Sequence, residues 1–238
     1  MARGLFEEGG PRWFSIPAHR PFLTDLASGL IAGLDPEALS QAVVLTPTRR
    51  SARMLAAAFA DASPRGLLLP QIRPIGDLEE GEPPFEPGEL TLDLPAAISP
   101  WRRRFELAAI AADKQPGLNA GQALEMADAL GGLIDSLQIE EIEPLERIET
   151  LVEGELAKHW MESGALLCDV LDAWPKRLVE LGLIDVNERR VKLLRALAVQ
   201  WEAHPPPHAL IAAGSTGTAP PAADLLAVVA RSPRGLVV

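Results

Sequence analysis

The sequence predicts an α/β fold, a parallel sheet interrupted by an inserted all-helical lobe and then resumed. Three observations carry this reading. The first 75 residues alternate short apolar runs with helical periods in the order βαβαβ, the pattern of a parallel sheet. Residues 100–204 then read as helix almost throughout. From residue 209 the β/α alternation returns. The expected division is a first part of the α/β domain at 1–95, the inserted lobe at 96–204, and a return to the α/β domain at 205–238.

Taken in order, residues 12–16 (RWFSI) form a candidate first strand, followed by a turn at 17–21. A helix is expected over 22–34, with Leu23, Leu26, Ala27, Leu30, Ile31 and Leu34 on one face. Asp35-Pro36 ends it. Residues 42–45 are a buried strand, and Thr46-Pro47-Thr48 a polar turn. Thr48 then caps a helix whose Ala52, Leu55, Ala56 and Phe59 recur at i, i+3, i+4, i+7. Residues 67–75 (LLLPQIRPI) read as another strand, which Pro70 and Pro74 confine to an edge or an irregular position. The acidic, Pro- and Gly-rich stretch 76–95 reads as an exposed linker. Four helical blocks follow, and then a strand at 209–213, a loop at 214–218, a helix at 222–230 and a strand from 235. An ending inside an apolar strand is expected of a piece of a longer protein.

Composition narrows the function. With 238 residues, 47% of them hydrophobic, the chain can bury a full core. Its 22 Lys+Arg stand against 33 Asp+Glu, a formal net charge of −11. Such a field repels nucleic acid, so any contact with it must be local or shared with a partner chain. The single cysteine, Cys168, permits no internal disulfide, reads as a small core residue, and fits a reducing cytoplasm. No apolar run suits a signal peptide or a membrane span, so no membrane partner is expected.

The chemistry-bearing candidates are few. Arg49 and Arg50 occupy the first turn after Thr48, with Arg53 one turn on. Cations there oppose the helix dipole by roughly 0.3–1 kcal/mol each. Free backbone amides and arginines at one helix start make a site for an anion such as a phosphate, whereas the plainer reading is a solvated helix start. The loop Gly214, Ser215, Thr216, Gly217, Thr218 follows a strand and precedes a helix, the place for a phosphate loop. It is neither G-x-G-x-x-G nor a Walker A sequence, and a tight turn needing glycine explains it more simply. His19, His159, His204 and His208 lack metal-ligand spacing, with His204 and His208 in a loop. Glu140, Glu141, Glu143, Glu146 and Glu149 read as a solvated face. Trp101, Trp160, Trp174 and Trp201 read as core of the lobe, and Arg102-Arg103-Arg104 as facing either a nucleic-acid backbone or an acidic partner surface. No catalytic residue, metal site or cofactor is expected.

The segments TPTRRSAR (46–53), LLLPQIRPIGDL (67–78), AISPWRRRFELA (97–108) and HALIAAGSTGT (208–218), with the PRGLVV that follows, are similar to a known family in combination and in order. LTPTRRSARMLAAAF resembles the motif Ia segment of UvrD/Rep-type helicases. More closely, the chain resembles the N-terminal region of the alphaproteobacterial AddB-type subunit of a double-strand-break-repair helicase–nuclease. The resemblance implies a P-loop-NTPase-like sheet (helicase subdomain 1A) interrupted by a 1B-like helical lobe. It also implies a role in DNA recombination and repair, with single-stranded DNA and a motor subunit of the AddA type as partners. Thr46, Thr48, Arg49, Arg50 and Arg53 are then the candidate DNA contacts. Reading of a recombination hotspot is associated with the family.

The departures from working helicases weigh as much. Where a motor carries a Walker A loop, this chain has Ile16-Pro17-Ala18-His19-Arg20-Pro21-Phe22, without glycine or lysine. Where it carries the acidic Walker B pair, this chain has Gly214-Ser215-Thr216. The expectation is a domain that does not hydrolyse ATP and, lacking the family's C-terminal nuclease domain, does not cut DNA. The alternative is a nucleotide- or phosphate-binding enzyme domain using the loop Gly214 to Thr218.

Overall fold

The computed structural model describes residues 5–6, 10–63, 66–75, 94–142 and 157–238, with the side chains of 157–165 left out. Most of the expected linker at 76–95, and Glu143, Glu146 and Glu149, lie outside these residues. The chain divides into two compact units, one of Met1–Thr91 with Leu193–Val238, the other of Leu92–Lys192.

The first unit is built on a four-stranded, all-parallel sheet. Its strands are β1 (Val43–Thr46), β2 (Gln71–Pro74), β5 (Leu210–Ala212) and β6 (Gly235–Val237), in the order β2-β1-β5-β6. Leu45 stands beside Arg73 on one side and Ala212 on the other. Strand side chains alternate between two layers. Val44, Ala209, Ile211 and Leu236 pack with helices α1 (Phe22–Gly33) and α3 (Arg49–Ala62), through Leu26, Leu30, Leu55 and Phe59. Val43, Leu45, Leu210, Ala212 and Val237 pack on the other face with α8 (Pro220–Arg231), through Leu225 and Val229. The same cluster takes Leu194, Leu197 and Trp201 from the later part of α7 (Val186–Ala203). Burial on both faces is why β1, β5 and β6 read as apolar runs, whereas the edge strand β2 is half-buried.

Three local expectations change. Residues 12–16 are not a full strand: Trp13 makes a single parallel bridge to Val237, held by Phe14 N–H to Val237 O and Val237 N–H to Arg12 O. Asp35-Pro36 does not only end α1. Asp35 caps a further short helix, α2 (Pro36–Gln41), accepting from Ala38 N at 2.8 Å, with proline at its first position where no N–H is needed. Of 67–75 only Gln71–Pro74 is strand, and it is the sheet's edge.

The second unit is mainly helical: α4 (Pro100–Lys114), α5 (Ala120–Ile139), α6 (Ala157–Leu181) and the start of α7. It also holds a two-stranded parallel pair that the helical period concealed, β3 (Ala96–Ala97) with β4 (Leu183–Ile184). Leu107, Ala111, Ala127, Leu130, Ile134, Val170 and Trp174 form its core. Trp174 is core as expected, and Trp201 is core of the sheet unit instead. Trp101 is not core. It stands 69% exposed beside Phe105 at 58%, because α4 turns Leu107, Ala108 and Ala111 inward and leaves the 101/105 face outside. Cys168 is half-buried.

Candidate nucleic-acid interface

In an open parallel sheet, ligands bind outside the carboxyl ends of the strands, where the chain's connections part in opposite directions. Here β1 leads through α3 outward to β2, while the adjacent β5 leads through α8 to β6 on the other side. The parting point is therefore between the ends of β1 and β5. Ala213 N–H donates to Leu45 O at 2.9 Å there, which sets the turn after β1 and the loop after β5 side by side. The two rival candidate sites are neighbours on one edge.

On the β1 side, Thr48 caps α3 by accepting from Ser51 N at 3.1 Å, and its hydroxyl lies 2.9 Å from that of Ser51. No acidic residue occupies the first turn of α3. Thr48, Arg50 and Arg53 are exposed, and Arg49 is half-buried. Arg50 and Arg53 form no ion pair among the described residues. Thr46 differs from expectation: it is 2% exposed, and its hydroxyl donates to Thr48 O at 3.3 Å. It shapes the turn and does not face a ligand.

On the β5 side, Gly214 and Gly217 adopt φ of +72° and +62°, which favours glycine and supports the tight-turn reading. Gly214 N–H donates to Val238 O at 2.9 Å, and Gly217 N–H to Ser215 Oγ at 3.4 Å. Pro220 and Pro221 open α8 and have no N–H to offer. A Cβ at Gly214 would meet the Phe22 ring at 3.3 Å. Two amides are committed, two are missing and a ring borders the turn, so this loop makes a poor cradle for a phosphate.

Ahead of α1, residues 17–20 form a turn closed by Arg20 N–H to Pro17 O at 2.9 Å. Arg20 then grips Asp25, in the first turn of α1, through Nε to Oδ2 at 2.6 Å and Nη2 to Oδ1 at 2.9 Å. That hydrogen-bonded pair lowers the Asp25 pKa and raises that of Arg20. A carboxylate thus already stands in the first turn of α1, where it opposes a second anion.

The arginine run of α4 is fully answered within its own unit. Arg102 pairs with Glu106 at 3.7 Å, and Arg104 holds both oxygens of Asp128 at 2.7 Å. Arg103 turns inward to Asp185, which is wholly buried. Its Nη2 donates to Asp185 Oδ2 at 3.1 Å, while Nε makes a close charge contact with Oδ1 at 2.9 Å. Asp185 also accepts from Trp174 Nε1 at 2.8 Å, Gln138 Nε2 at 3.3 Å and Val186 N at 2.8 Å. The carboxylates that answer this cluster thus lie in the chain itself and not on a partner, which counts against a nucleic-acid contact by Arg103 or Arg104. Sequence reading missed Asp185; the available signal was Asp185-x-x-Glu188 ahead of an apolar-periodic helix.

Among the described residues no group of three His, Cys, Asp or Glu could hold a metal ion, and no helix is long and apolar enough to cross a membrane. His204 is exposed and His208 half-buried in the loop before β5, and Glu140 and Glu141 are exposed. Comparison with protein-family models, with curated proteins and with solved structures returns no match.

Proposed function

We propose that this chain is an inactive helicase-like domain of the AddB type, acting in recombinational double-strand-break repair beside a motor subunit of the AddA type. Its task is to guide or read the single strand that the motor delivers. The observation that carries the reading is the position of α3: its arginine-bearing first turn opens at the carboxyl edge of the sheet, at the parting point between β1 and β5. Arg49, Arg50 and Arg53, with the exposed Thr48, then meet the phosphodiester backbone. The net charge of −11 keeps this contact local and leaves room for a basic surface on the partner. The Arg20–Asp25 pair and the proline-opened α8 support the absence of ATP hydrolysis, since neither helix start offers a phosphate cradle. They also count against a phosphate-binding enzyme using Gly214 to Thr218.

The test has two arms. A fluorescent oligothymidine titrated with the chain should bind weakly and with salt dependence, and Arg49→Ala with Arg50→Ala should weaken it. The slope of log K against log salt should fall by roughly 0.7 for each phosphate that is no longer neutralised. ATP with Mg²⁺ should leave the melting temperature unchanged. Binding indifferent to the arginine changes would remove the proposed interface; clear stabilisation by ATP would remove the inactive-motor reading.

A further inference from the structure

The helical unit carries an open cleft of about 650 Å³ where the start of α4, the middle of α5 and the start of α7 come together. Its walls include Trp101, Arg104, Asp128, Gly132, Asp135 and Asn187. The charges here do not cancel. Arg104 is taken by Asp128, so the single guanidinium of Arg103 must serve both Asp185 and Asp135. Two guanidinium groups meet three carboxylates, and one negative charge is left over.

That charge is presented at Asp135. Asp185 is closed off, whereas the Asp135 side chain keeps 35% of its surface. Asp135 Oδ1 accepts from Asn187 Nδ2 at 2.7 Å and lies 2.8 Å from Arg103 Nη2. Its Oδ2 accepts nothing among the described residues. Trp101 in the same wall is largely exposed, and an indole ring attracts cations. The floor is kept low at Gly132, where an added Cβ would meet nothing within 4 Å. The neighbouring Gly131 is explained, because Arg103 lies over it and donates to its carbonyl at 3.3 Å. Among the described residues nothing calls for Gly132, although a glycine weakens a helix interior.

We propose that this cleft docks an arginine side chain from a basic segment of a protein partner. The guanidinium lies on Trp101 and donates to Asp135 Oδ2, and its aliphatic stem runs over Gly132. Arginine suits the place better than lysine because its planar head stacks on an aromatic face while donating sideways. A chain of net charge −11 attracts such a segment at long range, and the surplus carboxylate turns away a nucleic-acid backbone. The inference stands apart from the single-strand interface on the other unit.

The experiment is a ¹⁵N-NMR titration of the whole chain with N-acetyl-arginine methylamide, its citrulline counterpart and a short oligothymidine. The indole N–H of Trp101 and the side-chain amide of Asn187 are the reporters. The arginine compound should give saturable shifts at both, with the uncharged citrulline compound about fivefold weaker or more. Trp101→Ala, an exposed change that leaves the fold alone, should remove the Asn187 response, as should Asp135→Asn. Gly132→Leu should block the cleft. Equal response to citrulline, a response to oligothymidine alone, or an Asn187 response that survives Trp101→Ala would each overturn the proposal.

Discussion

Two helices of this chain begin with clustered arginines and treat them in opposite ways. At α4 each of Arg102, Arg103 and Arg104 has a carboxylate, and Arg103 is drawn into the core by a buried aspartate 82 residues away. At α3 no acid stands in the first turn, and Arg50 and Arg53 remain exposed without an ion pair among the described residues. The same local feature is cohesion in one unit and, at Arg50 and Arg53, an exposed cationic surface in the other. What separates them at α4 is chiefly the supply of acids from distant elements, since of the partners only Glu106 lies in the same helix.

The contrast is most directly broken by removing one arginine of each kind. Arg103→Ala leaves Asp185 buried without its cation and should destabilise the helical unit by about 3–5 kcal/mol. Arg50→Ala should change stability by no more than about 0.5 kcal/mol. Urea unfolding followed by circular dichroism reads both, and equal costs would end the distinction. A control for the sheet unit comes next. A Cβ at Gly235 would stand 1.8 Å from Val229 O, so Gly235→Ala should cost about 1–3 kcal/mol or more, measured the same way. Thr48→Ala removes the α3 cap and should cost about 1 kcal/mol. If the cap matters only for presenting the arginines, oligothymidine binding will fall with it while α4 is untouched.

The smallest effect concerns the exposed pairs and their response to pH. Asp25 and Asp128 are held below the usual carboxylate pKa by hydrogen bonds from Arg20 and Arg104. A folded pKa below the unfolded value of about 4 means that the folded state binds fewer protons. Each pair therefore contributes stability that is present above pH 4 and lost as pH falls through the depressed folded value. Both pairs are solvated, so the contribution is slight. Asp25→Asn and Asp128→Asn should each lower the melting temperature slightly at pH 7 and leave it unchanged near pH 2, which flattens the acid limb of the profile. A large loss at pH 7 would show the exposed pairs to be structural after all.

Legibility in the sequence followed the range of the interactions involved. Residues 43–62 were readable because a buried parallel strand, an N-cap and a helical apolar period are each local. Residues 12–16 were only half readable: the extended run is there, but a strand needs a partner, and β6 supplies a single bridge. Trp101 was misread because α4 carries apolar residues on two faces, and packing alone chose Leu107 over Trp101. In the candidate interface, Thr48, Arg50 and Arg53 emerged as exposed. Thr46 did not, because its hydroxyl closes the turn on which the others depend.

By itself, then, the sequence determined the alternating architecture, the long helical interruption and the cationic start of α3, all written in spacings of a few residues. The tertiary structure decided which arginines are spent on internal acids, that Asp185 lies at the centre of the helical unit, and that the turns after β1 and β5 share one edge. Those outcomes depend on which distant segments the chain brings together, and contact between residues tens of positions apart leaves no mark on local periodicity.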